Sequence, residues 1–426
     1  MMLAKHSLFS KNALIGSIIA IVFFSSTLNI KADQSDIGWL DTTIRTLVSN
    51  VDEMKNLKIS GFIHAQYMSA DYDGMESTLS GTFPPDAHNV FKIRRGRLRL
   101  NYNSGIANYV IQFNGTESTF QLLDAYVEVK EPYLNTFTLR AGIFKPNVSQ
   151  EILYSSDLRY CNESARIVGK FFPTEYDLGA QLMIKHPNVP VSLAAGVLNG
   201  TTIAAENDNR KNFTVRLVYD DKFNKEKVRV LVACATYQGG IYQATPDLYT
   251  MNDNVFVLDN SIGNQGKQGK RNYYVAETTL EFKTPIGKTW LNGEYWFGEQ
   301  TGSAMSVNSP AAARPTGASY LRPFQSFFGL LAHEIVKTNT ALAVKFDYFD
   351  PNTKVSGDDI GIAGSHTGIA DIAYTTLSYG IIFSPTKNLR FSAWYDMPTN
   401  ETTKWVTGYS EKRKDNLFTL RMQVRF

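Results

Sequence analysis

Hydrophobic and polar residues alternate one by one along much of the chain, most clearly between residues 95 and 102. One phase of that stretch carries Arg95, Arg97, Arg99 and Asn101, and the other carries Gly96, Leu98, Leu100 and Tyr102. A period of two indicates a β-strand whose two faces have different surroundings. In a water-soluble sheet the apolar face covers a core. In a transmembrane barrel it meets lipid, and the arginines line a water-filled lumen.

The same alternation predicts sixteen strands between residues 57 and 426, most of them ten to fourteen residues long. Strands of this length suit tilted crossings of a bilayer. The predicted strands span 57–69, 89–102, 106–116, 121–131, 136–144, 177–186, 189–199, 211–221, 226–237, 272–284, 287–300, 324–337, 339–350, 372–385, 387–397 and 415–426.

The connections between these strands alternate in length. Every second one is short and rich in Gly, Pro, Asn and Asp, residues that favour tight turns. Most of the others are long, at 70–88, 145–176, 200–210, 238–271, 301–323, 351–371 and 398–414. Short periplasmic turns facing long outer loops are typical of outer-membrane barrels. We therefore predict an all-β fold, a 16-stranded antiparallel transmembrane β-barrel spanning residues 57–426.

The N-terminal segment has a different character. Residues 1–32 carry Lys5 and Lys11 before an apolar run at 13–28, which predicts a cleaved signal peptide; a transmembrane anchor is the alternative. Within 33–56, apolar residues recur every three or four positions and predict a short periplasmic amphipathic helix. At the other end, an alternating strand closes on Phe426, as in bacterial outer-membrane barrels. Together these features predict export to the outer membrane of a Gram-negative cell.

Energetics decide which way the arginines face. An arginine exposed to lipid at the bilayer midplane costs roughly 2–4 kcal/mol, so three together would cost roughly 6–12 kcal/mol. We therefore expect Arg95, Arg97 and Arg99 to line the lumen, with Arg140 on the inward phase of a nearby strand. Such a column offers anions successive sites of similar attraction. The alternative is that lumen arginines merely pair with lumen acids. Lys92 and Arg94 fall on the outward phase, towards lipid headgroups.

The third outer connection, 145–176, is long and mixes apolar with charged residues. A loop of this kind can fold into the lumen and constrict it. Its bases Arg159, Arg166 and Lys170 would then contact solutes at the narrowest point. A loop that caps the outer surface is the alternative reading.

Motifs for other functions are absent from the sequence. His333 and Glu334 begin a zinc-protease pattern, but Lys337 replaces its second histidine, and the glycine-rich run 263–270 lacks phosphate-loop spacing. Two cysteines, Cys161 and Cys234, give no disulfide framework, although a single bridge between them stays possible. The formal charge is only +3. We predict no enzymatic activity, no cofactor or metal, and no nucleic-acid partner.

Four stretches carry a family resemblance: FKIRRGRLRL (91–100), LLDAYVEV (122–129), LRAGIFKPNVSQE (139–151) and RYCNESAR (159–166). Together they resemble the phosphate-selective porin O/P family. The resemblance covers essentially the whole mature chain, best between residues 90 and 176. It implies a barrel that is usually trimeric, with an inward-folded third loop and a basic lumen that passes phosphate or polyphosphate.

The predicted function is passive diffusion of anions, with phosphate or polyphosphate as the solutes that the resemblance implies. Lysines are few on the central inward phase, Lys345 being the clearest. A general small-solute porin therefore fits as well. A third hypothesis is a barrel whose outer loops bind a partner or polymer. The expected surroundings are outer-membrane lipid, lipopolysaccharide and two further copies of the chain in a homotrimer.

Overall fold

A computed structural model describes residues 41–48, 55–77, 81–309 and 314–426. Within these ranges, sixteen antiparallel strands close into a barrel, because the first pairs with both the second and the last. The barrel strands are β1 (Leu57–Ala70), β2 (Asn89–Ser104), β3 (Ala107–Gly115), β4 (Phe120–Lys130), β5 (Phe137–Phe144), β6 (Asp177–Lys185), β7 (Val191–Leu198), β8 (Asn212–Phe223), β9 (Val228–Tyr242), β12 (Gln268–Thr284), β13 (Gly287–Gly302), β14 (Ser319–Ile335), β15 (Thr340–Asp350), β16 (Tyr374–Thr386), β17 (Leu389–Asn400) and β18 (Leu417–Arg425).

The predicted fold class is confirmed, and each predicted strand overlaps one observed strand. Apolar side chains point outwards: Leu98 is 40% exposed and Leu139 is 53% exposed. On the opposite phase Arg95 and Arg97 are each 8% exposed. No helix in the described ranges has the length and apolar character needed to cross a membrane. The barrel therefore has an apolar outer wall and a polar inner wall.

Helix α1, over residues 41–48, belongs to a unit separate from the barrel. It carries Ile44, Leu47 and Val48, all exposed, as part of the apolar stripe that the sequence predicts. The predicted signal peptide at 1–32 lies outside the described residues, as does most of the rest of 33–56.

Two outer connections contain structure that the alternation pattern did not predict. The 238–271 connection holds a hairpin of β10 (Leu248–Asn252) and β11 (Val255–Asp259), and β10 also pairs in parallel with β14. Asp253 at its turn has φ of 50°, which suits a two-residue Asp-Asn hairpin turn. The 145–176 connection holds two short helices, α2 (Gln150–Leu153) and α3 (Arg166–Phe171).

Candidate functional site

The predicted arginine column lies on the inward face of β2, and most of it is paired with acids. Arg99 contacts Asp124 at 2.5 Å, and Arg140 on β5 contacts Glu128 at 2.6 Å. In both cases the acid lies on β4. The sequence could place Asp124 and Glu128 on the inward phase, but only the register of β3, β4 and β5 shows that they reach these arginines.

Arg94 also points inwards, and its predicted outward position is wrong. In the β1–β2 ladder His64 pairs with Arg95 and Ala65 pairs with Ile93, so Arg94 is the extra residue of a β-bulge. A bulge breaks the alternation and turns the following residues to the other face. Phe91 and Ile93 are consequently exposed, and Lys92 takes the same phase as Arg94.

Glu163, in the 145–176 loop, binds three guanidinium groups from the wall. Its carboxylate lies 2.9 Å from Arg94, 2.9 Å from Arg95 and 2.6 Å from Arg421. Burial alone would raise the pKa of the Glu163 carboxyl, but these three cations hold it well below its usual range. The loop therefore supplies the negative charge that pairs with Arg94 and Arg95 at the start of the arginine column.

Arg97 differs from its neighbours in having no carboxylate partner among the described residues. One of its Nη atoms donates a long hydrogen bond, 3.4 Å, to the Tyr176 hydroxyl. Its Nε atom is buried without a hydrogen-bond partner, as is Oδ1 of the neighbouring Asn114. A buried guanidinium that lacks its partners is available to a solute anion.

The 145–176 loop is attached to the wall through its own backbone. The N–H groups of Gln150 and Glu151, at the start of α2, donate to the carboxylates of Glu277 and Glu294 at 2.7 Å each. At the start of α3, the Arg166 N–H donates to Asp347 at 2.6 Å. Carboxylates near unpaired backbone N–H groups are favourable. These three wall acids thus hold the loop and do not neutralise the arginine column.

An apolar cluster joins the same loop to the β9–β17 side of the lumen. Phe171 of α3 packs on Tyr273, Phe324 and Phe349 with ring centroids 4.8–5.7 Å apart. Phe172 packs against Trp296 at 6.1 Å. This part of the lumen is filled like a protein core, and the charged β2–β5 wall faces the other side of the loop.

The loop also reaches the rim that carries the short turns. The Tyr160 hydroxyl donates to Glu334 at 2.5 Å, close to the turn between β14 and β15. The backbone carbonyl of Asp157 accepts from Arg390 and Gln423, at 3.1 and 3.0 Å. The loop contacts therefore extend from Asp347, near the long-loop end of β15, to the opposite rim.

The three predicted loop bases occupy different surroundings. Arg159 is enclosed, with its side chain 2% exposed, and pairs with Glu175 at 3.0 Å and more weakly with Glu151. Despite burial, Arg159 and Lys145 hold the pKa of the Glu175 carboxyl below its usual range. Arg166 and Lys170 instead line open space. Of the three, Arg159 alone is bound to acids of its own loop.

Two cavities lie along α3. An inner cavity of about 330 Å³ separates the loop from the β2–β4 wall and is lined by Arg94, Arg95, Arg97 and Glu175 among others. An outer cavity of about 230 Å³ lies between α3 and the long loops, and Lys170 lines it. Arg166 lines both cavities.

Sequence reasoning missed two buried arginines near the long-loop rim. Arg271 donates to the carbonyls of Gly200 and Phe171, and Arg322 pairs with Asp371 at 2.7 Å with both side chains fully buried. Both residues fall just before the predicted strand starts at 272 and 324. Extending those strands by period two would have placed them inward.

Neither a metal centre nor a disulfide is found in the described part of the chain. No group of three or more histidine, cysteine or acidic side chains there could hold a metal ion. Cys161 is buried and Cys234 is exposed, and both are free thiols.

Comparison with known proteins shows the barrel fold. No protein-family model and no curated protein matches the chain. Among solved structures, it is similar to the outer membrane channel DcaP of Acinetobacter baumannii, at 11% identity and TM-score 0.52, covering 87% of this chain and 97% of that one. It is also similar to an anion-selective porin from Comamonas acidovorans, at 9% identity and TM-score 0.51. That alignment covers 87% of this chain and 98% of the other.

A third similar structure is a loop L8 deletion mutant of OmpT, an outer membrane protein of Vibrio cholerae. It gives 12% identity and TM-score 0.51, with 87% of this chain and 99% of that chain covered. At such identities the similarity extends to the fold alone. The resemblance to the phosphate-selective porin O/P family stays a prediction.

Proposed function

We propose that the protein is an outer-membrane porin that lets small solutes diffuse passively and prefers anions. The apolar outer wall and polar inner wall support a position in a bilayer. One of the proteins that share the fold is an anion-selective porin from Comamonas acidovorans. In this proposal the 145–176 loop constricts the lumen, and solutes pass between it and the β2–β4 wall.

The inner cavity carries the argument for anions. Arg94, Arg95 and Arg97 all line this narrow space, and Arg97 has no carboxylate partner in the described chain. Two unit charges 4 Å apart attract by about 1 kcal/mol in bulk water and about 4 kcal/mol at an effective dielectric of 20. A single unpaired guanidinium in a confined passage is therefore enough to favour anions over cations.

The pairing of the other arginines supports a modest preference. Arg95, Arg99 and Arg140 each contact a carboxylate, so much of their charge is neutralised. A pore of this kind admits neutral solutes and many small anions. Phosphate and polyphosphate belong to this group because the planar guanidinium pairs two oxygens of an oxyanion at once. Reversal potentials measured in chloride, phosphate and polyphosphate salts give the order of permeability of these three anions.

Replacing Arg97 with glutamine tests the anion preference. Losing about 1 kcal/mol of attraction should lower the anion-to-cation permeability ratio about fivefold. The ratio is measured from the reversal potential of single channels in a KCl gradient. The matched control is Arg210→Gln, which removes the same charge from an exposed outer-loop arginine that lines neither cavity.

An unchanged reversal potential in Arg97→Gln would remove this residue from the proposed mechanism. A wild-type protein that opens no ohmic channel would instead favour the barrel whose outer loops bind a partner. An ordered cluster in those loops, with Val355, Ile360, Ile372 and Tyr409 at its core, supports that second candidate.

Three further features belong to this proposal. We expect cleavage of residues 1–32 on export, contact of the outer rim with lipopolysaccharide, and assembly into a homotrimer. Mass spectrometry of the mature N-terminus tests the cleavage. Mass spectrometry of the detergent-solubilised native complex tests the homotrimer.

A further inference from the structure

The outer cavity combines cations with apolar walls. Phe349, Ile369, Ile372, Tyr374 and Tyr409 contribute apolar and aromatic surface, and the charged lining residues are Arg166, Lys170, Arg413, Glu76 and Asp415. This differs from the inner cavity, whose wall on β2 is a row of guanidiniums.

The acids of the outer cavity are committed to other groups. Asp415 pairs with Arg413 at 3.4 Å and accepts from the Tyr72 hydroxyl at 2.8 Å. Glu76 acts electrostatically on Lys170. Arg166 forms no ion pair within the described residues, and Asp347 and Asp415 act on its guanidinium only through longer-range electrostatic attraction.

Arg166 is held in place by packing. It is 7% exposed, and its guanidinium carbon lies 4.1 Å from the centre of the Tyr374 ring. No ion pair or side-chain hydrogen bond satisfies its guanidinium in the described structure, whereas the guanidiniums of Arg95, Arg99, Arg140 and Arg159 all contact acids. Burial lowers the pKa of this guanidinium. A buried, ring-stacked guanidinium without its hydrogen bonds is a ready binding group for an anion.

We propose that the outer cavity is a binding site for a small organic anion, a carboxylate attached to an aromatic or branched hydrocarbon body. Arg166 binds the carboxylate, and the body lies against Tyr374, Ile369 and Phe349. This inference rests on the proposed porin function and names a solute class for it. Because Arg166 also lines the inner cavity, a solute bound there stands at the entrance to the anion passage.

Size and solvation favour an organic anion over inorganic phosphate. The cavity volume of about 230 Å³ equals about eight waters at about 30 Å³ each, enough for a benzoate-sized molecule. Phosphate would place charged oxygens against the apolar part of the wall, formed by Phe349, Ile369 and Ile372, which offers them no hydrogen bond. A hydrocarbon body gains free energy from the same walls.

The test uses single channels of the full-length protein in planar bilayers, with potassium benzoate added on the outer side. We expect benzoate to reduce the chloride current in a saturable manner. In Arg166→Gln the half-blocking concentration should rise about tenfold, as for the loss of one charge-assisted interaction. The Arg166 N–H that anchors α3 to Asp347 remains in this variant. Arg210→Gln is the matched control and should leave the block unchanged.

Three probes separate the ligand classes. Inorganic phosphate and neutral benzyl alcohol should both block much more weakly than benzoate. Ile369→Trp, which fills the cavity from an exposed position, should abolish the benzoate block even if Arg166→Gln does not insert. Equal block by phosphate, or an unaltered block in Arg166→Gln or Ile369→Trp, overturns the proposal. The reversal potential from the same recordings reports anion preference independently, so failure of this site is distinguishable from failure of the porin function.

Discussion

At the scale of single residues, one extra residue in β2 determines the chemistry of the lumen. The bulge at Arg94 turns this side chain inwards beside Arg95, where both bind Glu163. Arg421 binds the same carboxylate from β18. One loop carboxylate therefore neutralises part of a three-guanidinium cluster that would otherwise present its full charge to solutes.

Glu163→Gln should strengthen the anion preference of the pore. The amide keeps the shape of the side chain but leaves Arg94, Arg95 and Arg421 without their counter-ion, so we expect a severalfold higher anion-to-cation permeability ratio. Reversal potentials measure it. Lys404→Gln, at an exposed ion pair of the outer loops, serves as the control for a charge change elsewhere.

Acidification should not mimic that variant. A carboxyl whose folded pKa is lowered loses its charge only below the ordinary range near 4.3. The reversal potentials of the wild type and of Glu163→Gln should therefore keep a constant difference between about pH 7 and about pH 5. A difference that shrinks within this window would contradict the ion-pair cluster.

At the scale of elements, buried polar contacts attach one of the long outer connections to the barrel wall. Asp371 accepts from Arg322 at 2.7 Å, from Asn352 at 2.8 Å and from the Gly368 N–H at 2.8 Å. This network attaches the 351–373 connection to β14. This connection is consequently ordered structure and can form part of the wall of a binding cavity.

Asp371→Asn should loosen that connection. Removing one partner of a buried ion pair costs about 3–5 kcal/mol, which corresponds to at least a hundredfold higher population of the opened loop. Protease cleavage between residues 351 and 371 in proteoliposomes measures it. Lys404→Gln, which breaks the exposed pair with Asp358, should leave the cleavage rate unchanged. Equal rates in Asp371→Asn and the wild type would show that the network does not hold the loop.

At the scale of the whole molecule, the two surfaces of the barrel wall differ in character. Leu98 and Leu139 point outwards, while the guanidiniums of the adjacent Arg97, Arg99 and Arg140 face the lumen. The same alternation that makes each strand amphipathic gives the closed barrel an apolar outside and a charged inside.

Leu98→Arg should test this arrangement directly. An arginine on the lipid face costs roughly 2–4 kcal/mol near the midplane. Unfolding of the barrel by guanidinium chloride in phospholipid vesicles measures the decrease in the free energy of unfolding. Thr138→Arg adds the same side chain to the inward face of β5 and should cost far less. A similar cost for both variants would argue against lipid at the outer wall.

The sequence by itself determined the sixteen strands, their inward and outward phases apart from the bulged start of β2, and the sorting of short turns and long loops. These features are local, because they follow from a period of two and from turn chemistry. A local signal also existed for the β10–β11 hairpin, in the Asp253-Asn254 turn between two apolar runs.

Tertiary structure decided which charges remain available to a solute. The bulge at Arg94 depends on the register against β1, and the pairing of Glu163 with three arginines joins residues far apart in the chain. The guanidiniums of Arg97 and Arg166, which form no ion pair within the described residues, have the same sequence character as the paired ones. Whether an arginine pairs with an acid depends on closure of the barrel and on placement of the loop. The reason is that an ion pair joins residues that are neighbours in space, and such pairs give no periodic pattern along the sequence.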